Sequence, residues 1–250
     1  MSFAAANCSE TRNSMKNNAY IQVEHLKKYY YSGDTVVKAV DDVSFSVSEG
    51  EFVVLLGFSG SGKSTLMSLL ASLLRADEGH IFVGGRDITQ LKTTQQNLYR
   101  RNETSVIFQS YNLLSDLTAY ENVMLGSSLS SHPFPAAEAL EIVNMHHRKN
   151  HYISQLSGGE QQRVSIARAI AKNCRLILCD EPTGALDTEN SQTILKLMRE
   201  TAIRYGKTVF MITHNTMFGE CADHILEMRN GKLIRDEYNP AVKSIEELEW

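Results

Sequence analysis

A chain of 250 residues, 42% hydrophobic and 22% charged, has ordinary globular composition and enough length for one substantial core with a smaller subdomain. Its formal net charge of −4 gives no support to sequence-independent nucleic-acid binding, which needs a basic face, so no nucleic-acid partner is expected. No apolar run reaches the roughly 18 residues that span a bilayer, and residues 1–20 are Asn-rich without a continuous apolar stretch, so neither a membrane span nor a secretory signal is expected and the chain is read as cytosolic.

Residues 1–19 read as a disordered leader. From Tyr20 to Glu51 apolar residues alternate (Ile21, Val23; Val43, Phe45, Val47), as in antiparallel strands with one exposed face. Val53 to Leu56 is continuously apolar, the mark of a parallel strand covered on both sides, and it enters a glycine-rich loop followed by a helix over Ser64 to Leu74. Residues 110–155 change character: short helical patterns over Ala119 to Gly126 and Ala136 to Met145 are broken by Ser- and Pro-containing segments, which predicts a helical insertion. Gly159 to Lys172 then reads as a helix, Arg175 to Asp180 as a strand, Asn190 to Arg204 as a helix and Thr208 to Ile212 as a strand. That alternation argues for an α/β fold built on a parallel sheet. The single main domain is set at 20–236, with a helical subdomain at about 110–172 and a C-terminal tail at 237–250. Cys8, Cys174, Cys179 and Cys221 lack a C-x-x-C spacing and read as packing residues.

Gly57-Phe58-Ser59-Gly60-Ser61-Gly62-Lys63-Ser64-Thr65 fits the phosphate-loop pattern G-x-x-x-x-G-K-[ST] in its required strand–loop–helix setting. A triphosphate is a dense polyanion; Gly57, Gly60 and Gly62 let the backbone N–H groups of the loop curl inward as an anion nest. Lys63 adds a full charge at the start of a helix, and the Ser64 hydroxyl can join a Mg²⁺ shell. Asp180 and Glu181 end an apolar strand, where an open parallel sheet places its ligands. Ser157 and Glu160 form an S-x-x-E capping box, but a plain cap does not explain Gly158 and Gly159, which weaken a first helical turn. They suit a helix N-terminus that another molecule's phosphate approaches closely. His146, His147 and His151 (H-H-x-x-x-H) have no accompanying Cys or acidic ligand pair and read as a solvated polar stretch.

The order of phosphate loop, Leu156-Ser157-Gly158-Gly159-Glu160-Gln161-Gln162-Arg163 and Leu176-Ile177-Leu178-Cys179-Asp180-Glu181 resembles the ATP-binding-cassette ATPases over about residues 20 to 235. The resemblance implies a parallel-sheet P-loop core, an N-terminal antiparallel β subdomain and an α-helical subdomain. It implies ATP and Mg²⁺ as cofactors, with Gly57, Ser59, Gly60, Ser61, Gly62, Lys63, Ser64 and Thr65 holding the nucleotide. Asp180, Ser64 and Gln109 would hold Mg²⁺, Glu181 would polarise the attacking water, and His214 would contact the γ-phosphate. Ser157, Gly158, Gly159 and Glu160 would act in trans on the nucleotide of a second subunit, making a homodimer with shared sites, and Asp187 would couple the two sites. One of Tyr29, Tyr30 and Tyr31 would stack on adenine, with alignment favouring Tyr30. Phe58 stands where the family often has Pro, Asn215 where it usually has Asp, and Ile153 where a Pro is common.

Arg100-Arg101-Asn102, Phe108-Gln109-Ser110-Tyr111-Asn112-Leu113-Leu114 and Thr183-Gly184 look like the lipoprotein-releasing, macrolide-exporter and cell-division branch. Only 36 residues follow His214, which leaves no room for the regulatory domain that many importer subunits append. Members of this branch work peripherally on the inner face of the membrane with a permease that has a large extracytoplasmic domain and moves by mechanotransmission. Two other readings share the same engine: an ATPase of a non-transporting, permease-like complex in division or signalling, and a soluble cassette ATPase.

Overall fold

The computed structural model describes residues 19–250, so the expected leader lies, except for its last residue, outside the described residues. Two sheets are present. The first is antiparallel and pairs β1 (Ile21–Ser32) with β2 (Thr35–Val47) on one side and with β4 (Glu78–Val83) on the other, with β5 (Arg86–Asp87) at the edge. Val23, Phe45 and Ile81 point into the core while their neighbours along the strands are more exposed, which is the period-2 pattern of a half-covered sheet.

The second sheet has the order β10-β9-β3-β8-β7-β6. β3 (Phe52–Leu56), β6 (Thr104–Ile107), β7 (Leu176–Asp180), β8 (Thr208–Thr213) and β9 (His224–Arg229) run parallel, and β10 (Lys232–Tyr238) closes one edge antiparallel. Its strands serve two cores. Phe52, Val54, Ile177, Cys179, Val209 and Met211 face one apolar cluster, while Val53, Leu55, Leu176, Leu178, Phe210 and Ile212 face the other. Burial on both faces is why the Phe52–Leu56 run carries no polar residue. The second core also takes Leu66, Leu69 and Leu70 from helix α1 (Lys63–Leu70), together with the antiparallel sheet.

The expected helix to Leu74 ends four residues early. Ser72 takes the left-handed conformation (φ 53°), and the N–H groups of Leu73 and Leu74 turn back to the Ser68 carbonyl. Helix α2 (Thr93–Asn102) buries only Tyr99, whose hydroxyl donates to the Leu70 carbonyl at 2.8 Å.

The insertion is helical throughout its regular elements: α3 (Ala119–Leu129), α4 (Ala136–Ile142) and α5 (Gly158–Lys172) pack around Val123, Ala139, Leu140, Val164 and Ala167. Thr118 caps α3 through a capping box with Glu121. α6 (Thr188–Tyr205) covers the first core with Ile194, Leu195 and Met198. Beyond β10, which takes the first two residues of the expected tail, Ile245 and Leu248 are buried in the first core.

His224 is fully buried at the start of β9, with its Nε2 2.7 Å from Asp236 and its Nδ1 3.5 Å from Glu51, and its ring stacks on Tyr238. Burial alone would lower its pKa; the Asp236 and Glu51 carboxylates outweigh burial and hold it above the ordinary value. A histidine with a raised folded pKa contributes stability that is complete below its unfolded pKa, about 6.5, and is lost as pH rises through the folded value. The wild-type unfolding free energy, measured by urea titration from pH 6 to pH 8, should therefore fall with pH relative to that of His224→Gln. Parallel curves for the two proteins would contradict the assignment.

Candidate functional site

Four strands that lie side by side, β3, β8, β7 and β6, release their chains at the same edge of the sheet. β3 leads into Gly57–Thr65, β8 into His214, β7 into Asp180 and Glu181, and β6 through Phe108 into Gln109. Residues separated by more than a hundred positions meet because neighbouring parallel strands share a carboxyl end, the usual ligand edge of such sheets.

The phosphate loop is folded tightly against β2 and β9. Gly62 sits at φ 104°, and a Cβ there would collide with the Ala39 carbonyl oxygen, so only glycine fits both the angle and the space. Gly231 N–H donates to the Ser61 carbonyl at 3.0 Å. Lys63, almost fully buried, donates to the Gly57 and Phe58 carbonyls at 2.7 and 2.9 Å. Burial lowers its pKa, against the opposing pull of Glu181 and Asp180. Ser59 and Gly60 are exposed, and Phe58 is 79% exposed at the loop's crest.

Asp180 Oδ1 accepts from the Ser64 hydroxyl at 3.3 Å. Burial, helped by the neighbouring Glu181, raises the Asp180 pKa against the opposing effects of Ser64 and Lys63. Two hard oxygen donors beside a positively charged loop form the kind of set that Mg²⁺ takes, and a cation there would relieve the crowding of the two carboxylates. Glu181 occupies left-handed backbone space (φ 45°), which costs a non-glycine residue on the order of 1–3 kcal/mol. It is held there by its N–H to the Ile212 carbonyl of β8 at 3.0 Å and by Gly184 N–H to its own carbonyl at 3.0 Å. The bend aims the carboxylate at His214, with Oε2 3.3 Å from Nδ1. Gln109 closes on the same point: a Cβ on Gly184 would stand 3.0 Å from Gln109 Nε2 and 3.4 Å from Glu181 Oε2. Asn215 caps the short 3-10 turn Thr216–Cys221 by accepting from Met217 N–H at 3.1 Å.

Ser157–Glu160 lie elsewhere. Ser157 is the N-cap of α5, its Oγ accepting from Glu160 N–H at 3.3 Å while Glu160 Oε2 accepts from Ser157 N–H at 2.8 Å. Among the described residues no hydrogen bond joins this segment to residues 57–65; Ser157 and Gly158 are exposed and Gly159 is buried. A Cβ on Gly159 would collide with the Asn190 side chain. Asn190 is not free to withdraw, because Asp187 accepts from its N–H (2.8 Å) and from its Nδ2 (3.0 and 2.9 Å), and Arg163 donates to its Oδ1 at 3.1 Å. Asp187 is the N-cap of α6, and these bonds hold its carboxyl below the usual range. The same helix α5 grips the loop after Gln109, with Arg168 donating to the Tyr111 carbonyl at 2.8 Å and to that of Asn112, and Ser165 donating to Tyr111 at 3.3 Å.

Tyr29 donates to Asp41 at 2.5 Å and lies beneath the Lys38 ammonium, whereas Tyr30 (42%) and Tyr31 (72%) are exposed. His146 Nδ1 lies 3.3 Å from Glu141, and Arg148 lies 3.2 Å from His151 Nε2. Sequence reasoning gave no site role to Asn190, Tyr111, Arg168 or Trp250. The Asp187-x-x-Asn190 spacing was the available sign for Asn190; the others have no local pattern.

A family model described as "ABC transporter" matches residues 40–184, more than half of the chain. The macrolide export ATP-binding/permease protein of Hyphomonas neptunium is 42% identical over 224 residues, which is 88% of this chain and 35% of that protein, so this chain spans about a third of its length. A bacterial ABC transporter cassette solved as a dimer superposes with a TM-score of 0.81 at 33% identity, covering 88% of this chain and 99% of that one. A post-hydrolysis dimer of the same cassette, bound to ADP and Pi, superposes equally well, with a TM-score of 0.81 at 32% identity over 88% of this chain and 99% of that one.

The tight seating of Gly159 on Asn190 gives a direct measurement. Gly159→Ala should destabilise the chain by about 1–3 kcal/mol, the usual cost of overpacking. In an Asn190→Ala background, where the obstacle is gone, most of that cost should vanish. A double-mutant cycle by urea unfolding reads the coupling; simple additivity would show that the two side chains do not compete for space.

Proposed function

Given that the chain belongs to the ABC transporter family, we propose that it is the ATP-hydrolysing, nucleotide-binding subunit of a transporter, closing on a second copy of itself around ATP to drive a membrane permease. The observation that carries the reading is the convergence of Glu181, His214 and Gln109 beside the phosphate loop, with Glu181 bent into left-handed backbone to reach His214. Lys63 and the loop N–H groups bind the β- and γ-phosphates, with Gly57, Ser59, Gly60, Ser61, Gly62 and Thr65 shaping the cradle and Tyr30 stacking on adenine. Ser64, Asp180 and Gln109 fit a Mg²⁺ ion, which when bound neutralises charge on the phosphate oxygens. Glu181 takes a proton from the attacking water, and His214 orients that carboxylate and contacts the γ-phosphate.

Among the described residues no hydrogen bond joins the exposed N-terminus of α5 to the phosphate loop of its own chain, which supports its use by a partner copy. Ser157, Gly158, Gly159 and Glu160 then complete the partner's site, and the Asp187–Asn190 contact links this segment to the Glu181 turn. Relatives named as macrolide export ATP-binding/permease proteins support an exporter-type permease; on this reading the permease carries a large extracytoplasmic domain and acts on a drug, peptide or lipoprotein. Among the described residues no helix is long and apolar enough to cross a membrane. The subunit would then sit peripherally on the inner face.

Glu181→Gln keeps the reach of the side chain and removes the base. Turnover should fall about 10²–10⁴-fold, while MgATP binding survives. Because ATP bridges the two copies, the mutant should elute as a dimer with MgATP on size-exclusion chromatography where the wild type is mainly monomeric. A variant that hydrolyses ATP normally would remove Glu181 from the base role.

Ser157→Arg places bulk and charge at the helix N-terminus and should leave ATP binding by the single chain near normal while abolishing dimerisation and turnover. Wild-type hydrolysis by this variant would rule out the shared site.

A further inference from the structure

Residues 239–250 run back from β10 across the turn that follows His214. Asn239 Nδ2 donates to the Gly219 and Glu220 carbonyls at 3.4 and 3.0 Å, and Lys243 N–H donates to the Glu220 carbonyl at 2.9 Å. Two exposed ion pairs, Lys243–Glu220 and Lys196–Glu246, flank this strap and contribute little. The anchors are apolar: Ile245 and Leu248 are buried in the core that also holds Met198 and Phe218. Trp250 donates from its indole N–H to the Ile245 carbonyl at 3.4 Å and tilts against Phe218 with ring centroids 5.7 Å apart. Phe218 belongs to the short turn capped by Asn215, the residue after His214. The indole is also one wall of a cavity of about 290 Å³ lined by Glu181, Thr213 and His214.

We propose that Trp250 is a positioning residue for ATP hydrolysis: through Phe218 it fixes the turn behind His214, and with it the 3.3 Å approach of His214 to Glu181. The inference rests on the reading of Glu181 and His214 as the hydrolytic pair. The phosphate loop does not line this cavity, so ATP binding and the chemical step respond differently to Trp250. A misplaced catalytic group can cost up to about 10²-fold in rate for a shift near 1 Å. A loosened turn should fall short of that limit.

Trp250 is the chain's single tryptophan, so its fluorescence reports this cavity alone. In the wild type, MgATP should shift and partly quench the indole emission, with a titration midpoint matching ATP binding. His214→Ala should bind ATP yet lose most of that response. In steady-state ATPase assays Trp250→Ala should lower kcat by about tenfold with KM for ATP changed by less than about twofold, and Trp250→Phe, which keeps a ring against Phe218, should recover most of the rate. Equal kcat for Trp250→Ala and wild type, or an indole emission indifferent to bound MgATP, would overturn the proposal. If Trp250→Ala does not fold, the wild-type titration and Trp250→Phe decide by themselves. A wild type that binds but never hydrolyses ATP would instead overturn the functional reading on which the inference stands.

Discussion

The parallel register of β3, β8, β7 and β6 is the constraint on which everything else in the molecule depends. Leu56 pairs with Thr213, Asp180 with Ile212 and Ile107 with Cys179, so the four strands end within about two residues of one another. Asp180, the last residue of β7, and Glu181, His214 and Gln109, one or two residues beyond their strands, are thereby brought to one edge, and Lys63 and Ser64 reach it through the loop after β3. A slip of one residue would turn each strand's apolar set from one core to the other, and both cores resist that. Precision at the polar edge thus originates in the hydrophobic alternation of Phe52, Val54 and Leu56 against Val53 and Leu55.

That delivery concentrates unfavourable features at one edge. A lysine is nearly buried, two adjacent carboxylates crowd each other, and Glu181 sits in backbone space that suits glycine. Each is tolerable because strands fix the ends: the Glu181 N–H is satisfied by Ile212, and Lys63 is satisfied by two loop carbonyls. On the proposed function these features share one remedy. A polyphosphate with a divalent cation would give Lys63 better partners than carbonyls and would separate the charges of Asp180 and Glu181, so binding energy is drawn from strain already present in the fold.

What was legible in the sequence follows the same physics. The β3 run, the phosphate loop, α5, β7, α6 and β8 each carry a strong local sign, either continuous burial or a cap and glycine pattern, and their bounds fall within a few residues of the structure. α2 left no such sign, because a helix that buries only Tyr99 has no apolar stripe to read. β4, β5 and β10 are short or polar and take their strand character from pairing with β1 and β9 rather than from their own residues. At the site, sequence reasoning reached the groups that touch a nucleotide on the proposed function, and missed the groups that hold them. Asn190, Arg168 and Trp250 act through contacts far apart in the chain, Arg163 to Asn190, Phe218 to Trp250 and Tyr111 to Arg168, and such separations have no spacing rule.

The missed groups also tie helix α5 to the loops at the sheet's edge. Helix α5 ends at its N-terminus in Ser157 and Gly158, exposed to solvent, and one of its later turns holds the Tyr111 and Asn112 carbonyls through Arg168. Asn190 ties the first turn of α5 to Asp187, three residues beyond Gly184 and the Glu181 turn. A displacement of the exposed end of α5 would pass to the loop after Gln109 through the Arg168 hydrogen bonds, and through Asn190 to Asp187, which follows the Glu181 turn in the chain. On the proposed reading that displacement comes from the nucleotide of the second copy. Engagement of Ser157–Glu160 and alignment of Gln109 and Glu181 are then one mechanical event, and hydrolysis waits for the partner because the helix that recognises it also sets the geometry of its own chain's catalytic loops.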